Sequence, residues 1–315
     1  MTMYLLIKRF GDLLKFLFYQ TLNILLKLVV FLCNHVPENI LAGVFTSISS
    51  LYFRISRRYR NRIRNNLQIA FGPSLDKHKA KSITDTLANN CGISALETLY
   101  SATGKRGTLL TSVSIQGKEN LDRALAGGKG VVAVSAHLGN FTLMAPKMVE
   151  SGYKFTMLVK EFSDKGVART LRKIQEMQRG RYIYIEPWKP ALREILECLR
   201  KNEIICLLSD ERKKHSEVSV DFFGRPVATA TGAAVFSLKA GAPLVPIFMV
   251  RHENGSHTIF IEPQLNVPLN GNQKEDIISL TAAFTKVIEA YVRKYPDQWF
   301  WLNNRWRFKG DPKGL

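Results

Sequence analysis

The chain has little that would support metal, nucleotide or disulfide chemistry. Its four cysteines, Cys33, Cys91, Cys198 and Cys206, form no C-x-x-C pair, and no histidine stands at a zinc-ligand spacing from them. They read as buried thiols of a reducing compartment, with neither a structural zinc nor a disulfide framework. No G-x-x-x-x-G-K loop is present and no G-x-G-x-x-G follows a strand, so the usual phosphate and dinucleotide cradles are missing. No G-x-S-x-G elbow occurs either, which weakens a serine hydrolase reading; Ser135, two residues before His137 on one strand, is poorly placed as its nucleophile. Acids are scarce: 26 Asp and Glu stand against 45 Lys and Arg, a net charge of +19 over 315 residues. Such a surface seeks anions: nucleic acid, anionic lipid headgroups or an acidic protein. With 46% hydrophobic and 23% charged residues, the chain can bury a core without staples, and wholesale disorder is excluded.

An uninterrupted apolar run of spanning length is also absent from the first thirty-odd residues. Residues 3–33 are rich in Leu, Phe, Val and Ile, but Lys8, Asp12, Lys15, Tyr19, Asn23 and Lys27 recur at steps of three or four. They therefore share one helical face. A Lys-bearing stripe on an otherwise greasy helix suits an interfacial or shallowly inserted membrane anchor better than a span of about 20 apolar residues. Lys27 and the lack of an A-x-A site argue against a cleaved signal peptide. A core helix of a soluble domain is the bland alternative. Against it, Arg54, Arg57, Arg58, Arg60, Arg62 and Arg64 follow with no acid among them, a run that an anionic membrane surface attracts. Nucleic acid could use the same charges, yet no helix-turn-helix, zinc finger or aromatic RNA platform accompanies them.

Residues 37–100 read as helical. Beyond about residue 112, short apolar runs alternate with amphipathic segments. Strands are predicted at 130–135, 155–159, 181–185, 204–208, 243–250 and 257–262, with helices over 140–150, 164–178, 190–201, 230–240 and 274–294. This alternation is that of an α/β fold, and the short gap between the last two strands predicts a mixed sheet flanked by helices. The expected organisation is a membrane-anchor helix over 1–35, a helical region over 36–111 and an α/β domain over 112–315.

Ligands of α/β sheets bind beyond the carboxyl ends of strands. The strand 130–135 runs into Ser135-Ala-His137-Leu-Gly139-Asn140-Phe-Thr142, which sets a histidine at such an end with a helix start just after it. A base beside free N–H groups can deprotonate a hydroxyl and hold an oxyanion, although loop histidines are more often structural. A second constellation, Leu208-Ser-Asp210-Glu211, again leaves a strand and leads to Phe222-Phe223-Gly224-Arg225-Pro226 and Thr229-Ala-Thr231-Gly232. Its acids could simply cap a loop, its phenylalanines could be core, and Thr229 or Thr231 could be the N-cap of the next helix. The third, Pro296-Asp-Gln298-Trp299-Phe-Trp301 running to Arg305-Trp306, reads as an aromatic closure of the domain.

Together, in this order, the three segments resemble the late acyltransferases of lipid A biosynthesis, within the wider lysophospholipid acyltransferase superfamily; Arg60–Phe71 resembles that family's amino-terminal segment. The resemblance covers nearly the whole chain. It implies a membrane-bound enzyme at the cytoplasmic face of a bacterial inner membrane, without cofactor or metal, moving a fatty acyl chain from acyl carrier protein or acyl-coenzyme A to an anionic lipid acceptor. His137 and Asp210 are then the catalytic candidates. Gly139, Asn140, Lys160, Glu211, Phe223, Gly224, Arg225, Thr229 and Thr231 are candidates for oxyanion and substrate binding, and the six arginines for the membrane surface. Two departures stand out. The family's His-x4-Asp/Glu carboxylate is replaced by Thr142, leaving three readings: Asp210 or Glu211 supports His137 instead, His137 works with Thr142 alone, or the protein binds lipid without transfer. Lys160 stands where the family tends to carry arginine, keeping the charge but losing a bidentate fork, so the acceptor could be another polar lipid such as a lysophospholipid.

Overall fold

The computed structural model describes residues 19–21, 24–73, 75–212, 218–303, 305 and 306. Helix α1 (24–35) leads into α2 (Glu38–Ile55), α3 (Arg57–Phe71) and α4 (Lys77–Tyr100). After a short α5 (Arg106–Thr111), the order is β1 (Val113–Gln116), α6 (Lys118–Leu125), β2 (Val131–Ser135), α7 (Met144–Glu150), β3 (Phe155–Val159), α8 (Lys165–Gln178), β4 (Arg181–Tyr184), α9 (Trp188–Arg200) and β5 (Ile204–Leu208). A hairpin of β6 (Ser219–Asp221) and β7 (Pro226–Ala228) precedes α10 (Gly232–Ala240), β8 (Leu244–Arg251), β9 (His257–Ile261) and α11 (Gln273–Lys294).

Seven strands form one mixed sheet in the order β1-β9-β8-β2-β5-β3-β4. Five run parallel, while β9 pairs antiparallel with β8 and carries β1 alongside it. β2 lies at the centre because Val131-Val-Ala-Val-Ser135 is buried on both faces, as a parallel strand covered by helices must be. Its period of two divides the core. Val131 and Ala133 pack with Met144, Met148 and Phe155 on one side, and Val132 and Val134 with Phe284, Ile288 and Trp299 on the other. Local signals close the helices around it: Asp164 caps α8 through the N–H groups of Gly166 and Val167, and Asn272 caps α11 through those of Lys274 and Glu275.

The predicted strands are all present, shifted by a residue or so at their ends. Three were not foreseen: β1 and the two short strands of the β6–β7 hairpin. The helix expected over 140–150 opens instead as a 3-10 turn, Phe141–Leu143, before α7. The N-terminal anchor finds no support: no helix among the described residues is long and apolar enough to cross a membrane. Residues 1–18, with Lys8, Asp12 and Lys15 of its polar stripe, lie outside the described residues, as does Asn23. Of the arginine run, Arg54 at the end of α2 and Arg57, Arg58, Arg60 and Arg64 along the first half of α3 are exposed. Arg62 differs: its guanidinium donates to the Leu302 carbonyl at 3.3 Å, beside a buried Asn66 that donates to the carbonyls of Trp301 and Asn303. α3 thus braces the C-terminal aromatic segment.

Candidate active site

Three neighbouring parallel strands, β8, β2 and β5, each present a polar side chain at or just past their carboxyl ends: Arg251, His137 and Asp210. The backbone between β2 and α7 is fixed by its neighbours. Gly139 N–H donates to the Gln298 carbonyl at 3.1 Å and Phe300 N–H to the His137 carbonyl at 3.0 Å. Gly139 adopts a left-handed φ of +56°, with the Met249 carbonyl oxygen 2.4 Å from where a Cβ would stand. Glycine is required here for both conformation and space.

Asp210 is completely buried and fully bonded. Its Oδ1 lies 2.8 Å from His137 Nδ1, while Oδ2 accepts the His137 backbone N–H at 3.0 Å and the Trp299 indole N–H at 2.7 Å. Burial alone would raise the Asp210 pKa, but the His137 charge and these hydrogen bonds outweigh it and hold the carboxyl below its ordinary value. For His137, burial pushes downward and the Asp210 carboxylate, by charge and hydrogen bond, prevails, so its pKa is raised. An ionised carboxylate accepts only. Neutral His137 therefore carries its proton on Nδ1 and leaves the Nε2 lone pair available, the arrangement of a general base with a supporting acid. Arg305, buried beneath, has its pKa lowered to about 10 by that burial, with the Asp210 charge opposing.

His137 borders a cavity of about 260 Å³. One wall is a face of α4, with Leu87, Cys91 and Ala95 recurring every four residues beside Ser94 and Thr98; Phe141, from the turn after His137, and Phe300 also line it. Burial pushes the Cys91 thiol up to about 12, so it is an inert wall. Thr142 also borders the cavity but does not touch His137: its hydroxyl donates to Asn140 Oδ1 at 2.5 Å and lies 2.7 Å from that of Thr98.

Of the sequence candidates, the structure brings together His137, Asp210, Gly139, Asn140 and Thr142. It keeps the others off the cavity wall. Gly139 is a structural pivot, its N–H engaged by Gln298 and not available for an oxyanion. Among the described residues, the N–H groups of Asn140 and Phe141 have no partner. Lys160 is exposed past β3, and Glu161 beside it pairs with Arg172. Glu211 offers its carbonyl to Arg305 at 3.0 Å; it does not reach His137, so the supporting acid is Asp210. Phe223 packs on Phe71 and Trp306, its N–H bound by Glu289. Gly224 N–H donates to Asp221, and Arg225 is exposed. Thr229 is buried and accepts from Arg305 Nη2 at 3.0 Å. Thr231 occupies the N-cap position of α10 without a side-chain bond. Of these, Phe223 and Thr229 belong to the buried layer of Phe222, Trp299, Arg305 and Trp306 beneath Asp210.

Residues that spacing did not reveal complete the site. Glu97 on α4 receives both terminal nitrogens of Arg251, at 2.5 and 2.6 Å, and lies 3.2 Å from His257 Nε2. Arg251 and His257 are cross-strand partners. Glu97 Oε2 also accepts Asn140 Nδ2 at 2.8 Å. The signal available was compositional: Glu97 is the lone acid between Asp85 and Glu119. Among the described residues no three His, Cys, Asp or Glu side chains gather as a metal ion requires.

A mixed α/β sheet with a parallel core here presents a carboxylate-backed histidine to a largely apolar cavity, an arrangement chemically able to activate a hydroxyl. The chain belongs to the bacterial lipid A biosynthesis acyltransferase family, whose model matches residues 8–308. It is 25% identical over 297 residues to the lipid A biosynthesis palmitoleoyltransferase of Escherichia coli, covering 91% of this chain and 90% of that one. To the E. coli lipid A biosynthesis lauroyltransferase it is 22% identical, with 91% of each covered. A phosphatidylinositol mannoside acyltransferase of Mycobacterium tuberculosis is 24% identical over 193 residues, 61% of this chain. That match spans only 59% of the mycobacterial protein's length.

Proposed function

We propose that this protein is a membrane-bound acyltransferase that moves a fatty acyl chain from an acyl carrier protein or coenzyme A thioester to a hydroxyl of a lipid A precursor or related glycolipid, working on the cytoplasmic side of a bacterial inner membrane. The observation that carries the reading is the His137–Asp210 pair at an apolar cavity. His137 Nε2 takes the proton of the acceptor hydroxyl as its oxygen attacks the thioester carbonyl. The tetrahedral oxyanion is steadied by the N–H groups of Asn140 and Phe141. The C–S bond then breaks, and the imidazolium returns its proton to the departing thiolate. Asp210, kept ionised, stabilises the imidazolium between the two transfers. Glycolipids recur in the relatives' names, which supports a sugar hydroxyl as the acceptor, and the basic surface suits both an acidic carrier protein and an anionic lipid.

The test is thiol release from acyl carrier protein and coenzyme A thioesters with a panel of glycolipid and lysophospholipid acceptors. Acceptor-dependent release is expected, falling by about 10³-fold in His137→Ala. Binding of lipid without thioester consumption would leave a lipid-binding protein on this fold, the reading that Thr142 first suggested.

Membrane attachment draws support from α2. Ile40, Val44, Ile48, Leu51 and Ile55, spaced four, four, three and four, are 46–70% exposed, one greasy stripe ending at Arg54, Arg57 and Arg58. That is the pattern of an interfacial helix. Replacing Arg57 and Arg58 by serine is expected to weaken binding to vesicles containing phosphatidylglycerol by about thirtyfold at low salt, and Ile48→Asp to weaken it further. Vesicle binding unchanged in both variants would move the attachment elsewhere.

A further inference from the structure

Asp210 supplies the carboxylate that His137 needs, yet the structure holds a second buried carboxylate against the same turn. Glu97 reaches from α4 and is 6% exposed. It carries the bidentate bond from Arg251, the contact from His257 and the bond from the Asn140 side chain. Burial raises its pKa, and His257 and Arg251, by hydrogen bond and charge, outweigh this to hold it at about 2. Such a group is a permanent anion. Desolvated charge is costly unless every lone pair is used, and a fold that places one beside its catalytic turn obtains a rigid reference point from it.

The bonds converge on Glu97 from two sides, Arg251 on one and the turn on the other. Glu97 is clamped at the carboxyl end of β8 by Arg251, which Gln298 grips in turn: Arg251 N–H donates to Gln298 Oε1 and Gln298 Nε2 to the Arg251 carbonyl, each at 2.8 Å. Glu97 then fixes Asn140 Nδ2, and Asn140 Oδ1 accepts the Thr142 hydroxyl. Residues 140–142 are where the two unpartnered N–H groups stand. Thr142 is in this chain a neutral link in the network and not a partner of His137.

We propose that Glu97 is a positioning residue for acyl transfer: through Asn140 it sets the place and direction of the backbone N–H groups after His137, so that the carboxylate absent from position 142 reaches this turn from α4. The assignment rests on the transferase reading for its kinetic effect but not for its structural one, and the two are measured apart.

The test exploits the 2.8 Å bond between Asn140 Nδ2 and Glu97 Oε2. Asn140→Asp sets two carboxylates face to face and is expected to lower kcat by about 100-fold, as a displacement of order 1 Å does. Adding Glu97→Gln turns an amide NH2 towards the new carboxylate and removes the repulsion; it gives up the Arg251 Nη2 bond to Oε2 but keeps that of Nη1 to Oε1, and should recover at least tenfold of that loss. KM for the thioester and the acid limb of the pH profile, which His137 and Asp210 set, stay within about twofold and about 0.3 pH unit, respectively, of wild type. Backbone amide shifts of Gly139–Thr142 read the turn without turnover: they move in Asn140→Asp and return in the double variant. Should Asn140→Asp fail to fold, Glu97→Asp withdraws the carboxylate by one methylene while keeping its charge for Arg251, with at least a tenfold loss of kcat expected at unchanged fold. No rescue in a folded double variant, or full kcat in Asn140→Asp or Glu97→Asp, overturns the assignment. An inactive wild type whose amide shifts behave as described would overturn only the transferase reading.

Discussion

Asp210→Asn is expected to lower kcat by about 10³- to 10⁴-fold while leaving the protein folded. The size follows from which oxygen holds which donor. Asp210 Oδ2 accepts two N–H groups, from the His137 backbone and from Trp299, so the single oxygen of an asparagine stays there and its NH2 faces His137 Nδ1. That nitrogen must then accept, the proton moves to Nε2, and the lone pair needed at the cavity is lost. The charge goes too. Burial lowers the His137 pKa and Asp210 raises it, so without the carboxylate the imidazolium becomes more acidic. In the wild type the acid limb of activity therefore lies above the ordinary histidine value of about 6.5, and in Asp210→Asn it moves to lower pH. Rates from pH 5 to 9, with thermal melts as the control, measure both effects. A variant within tenfold of wild type and with an unmoved limb would remove Asp210 from the role.

The same pair sets a pH window for stability. The raised His137 pKa contributes stability that is complete below the unfolded value and lost as pH rises through the folded one; the lowered Asp210 pKa contributes stability that is lost as pH falls through it. The pair is therefore most stabilising between the two, with histidine charged, whereas catalysis needs histidine neutral. The reactive protonation state is the one in which this contact contributes less.

What the sequence disclosed depended on how local each signal was. The β-branched runs at 131–135, 204–208 and 244–251 declare buried strands by themselves, and a histidine just past the first lies at a carboxyl end in any parallel sheet. Asp210 could be nominated as its partner for the same reason, since it leaves a strand too. β1 escaped because four residues with one fully buried side chain are a weak period, and the β6–β7 hairpin because three-residue strands carry almost none. Glu97, Arg251 and His257 were beyond reach for a different reason. Arg251 and His257 stand 154 and 160 residues beyond Glu97 along the chain, and only the docking of α4 over the carboxyl ends of β8 and β2 makes one cluster of the three. Lys160, Arg225 and Thr229 show the converse: residues that fit a pattern in the sequence can be exposed or buried in the layer beneath Asp210 with the cavity formed elsewhere.

Gly139→Ala is expected to reduce kcat by about 100-fold with a marked loss of thermal stability, although it touches neither His137 nor Asp210. Two costs combine. A residue with a Cβ at φ +56° is strained by about 1–2 kcal/mol, and its Cβ would lie 2.4 Å from the Met249 carbonyl oxygen and 3.1 Å from the carbon. Those atoms belong to β8, which at Met249 is paired with β9 and two residues on is gripped by Gln298 through both backbone groups of Arg251, so the strand yields less readily than the turn. Moving the turn by order 1 Å displaces His137 from Asp210 and the Asn140 and Phe141 N–H groups from the oxyanion, a shift that costs about two orders of magnitude in rate. Gly128 separates the two costs. It has φ +70° with nothing within 4 Å of where a Cβ would stand, so Gly128→Ala carries the backbone strain alone and should lose about 1–2 kcal/mol of stability at full activity. If Gly139→Ala behaves like Gly128→Ala in both melts and kcat, the turn is more compliant than its bonds to Gln298, Phe300 and Glu97 imply, and the site is held by Asp210 alone.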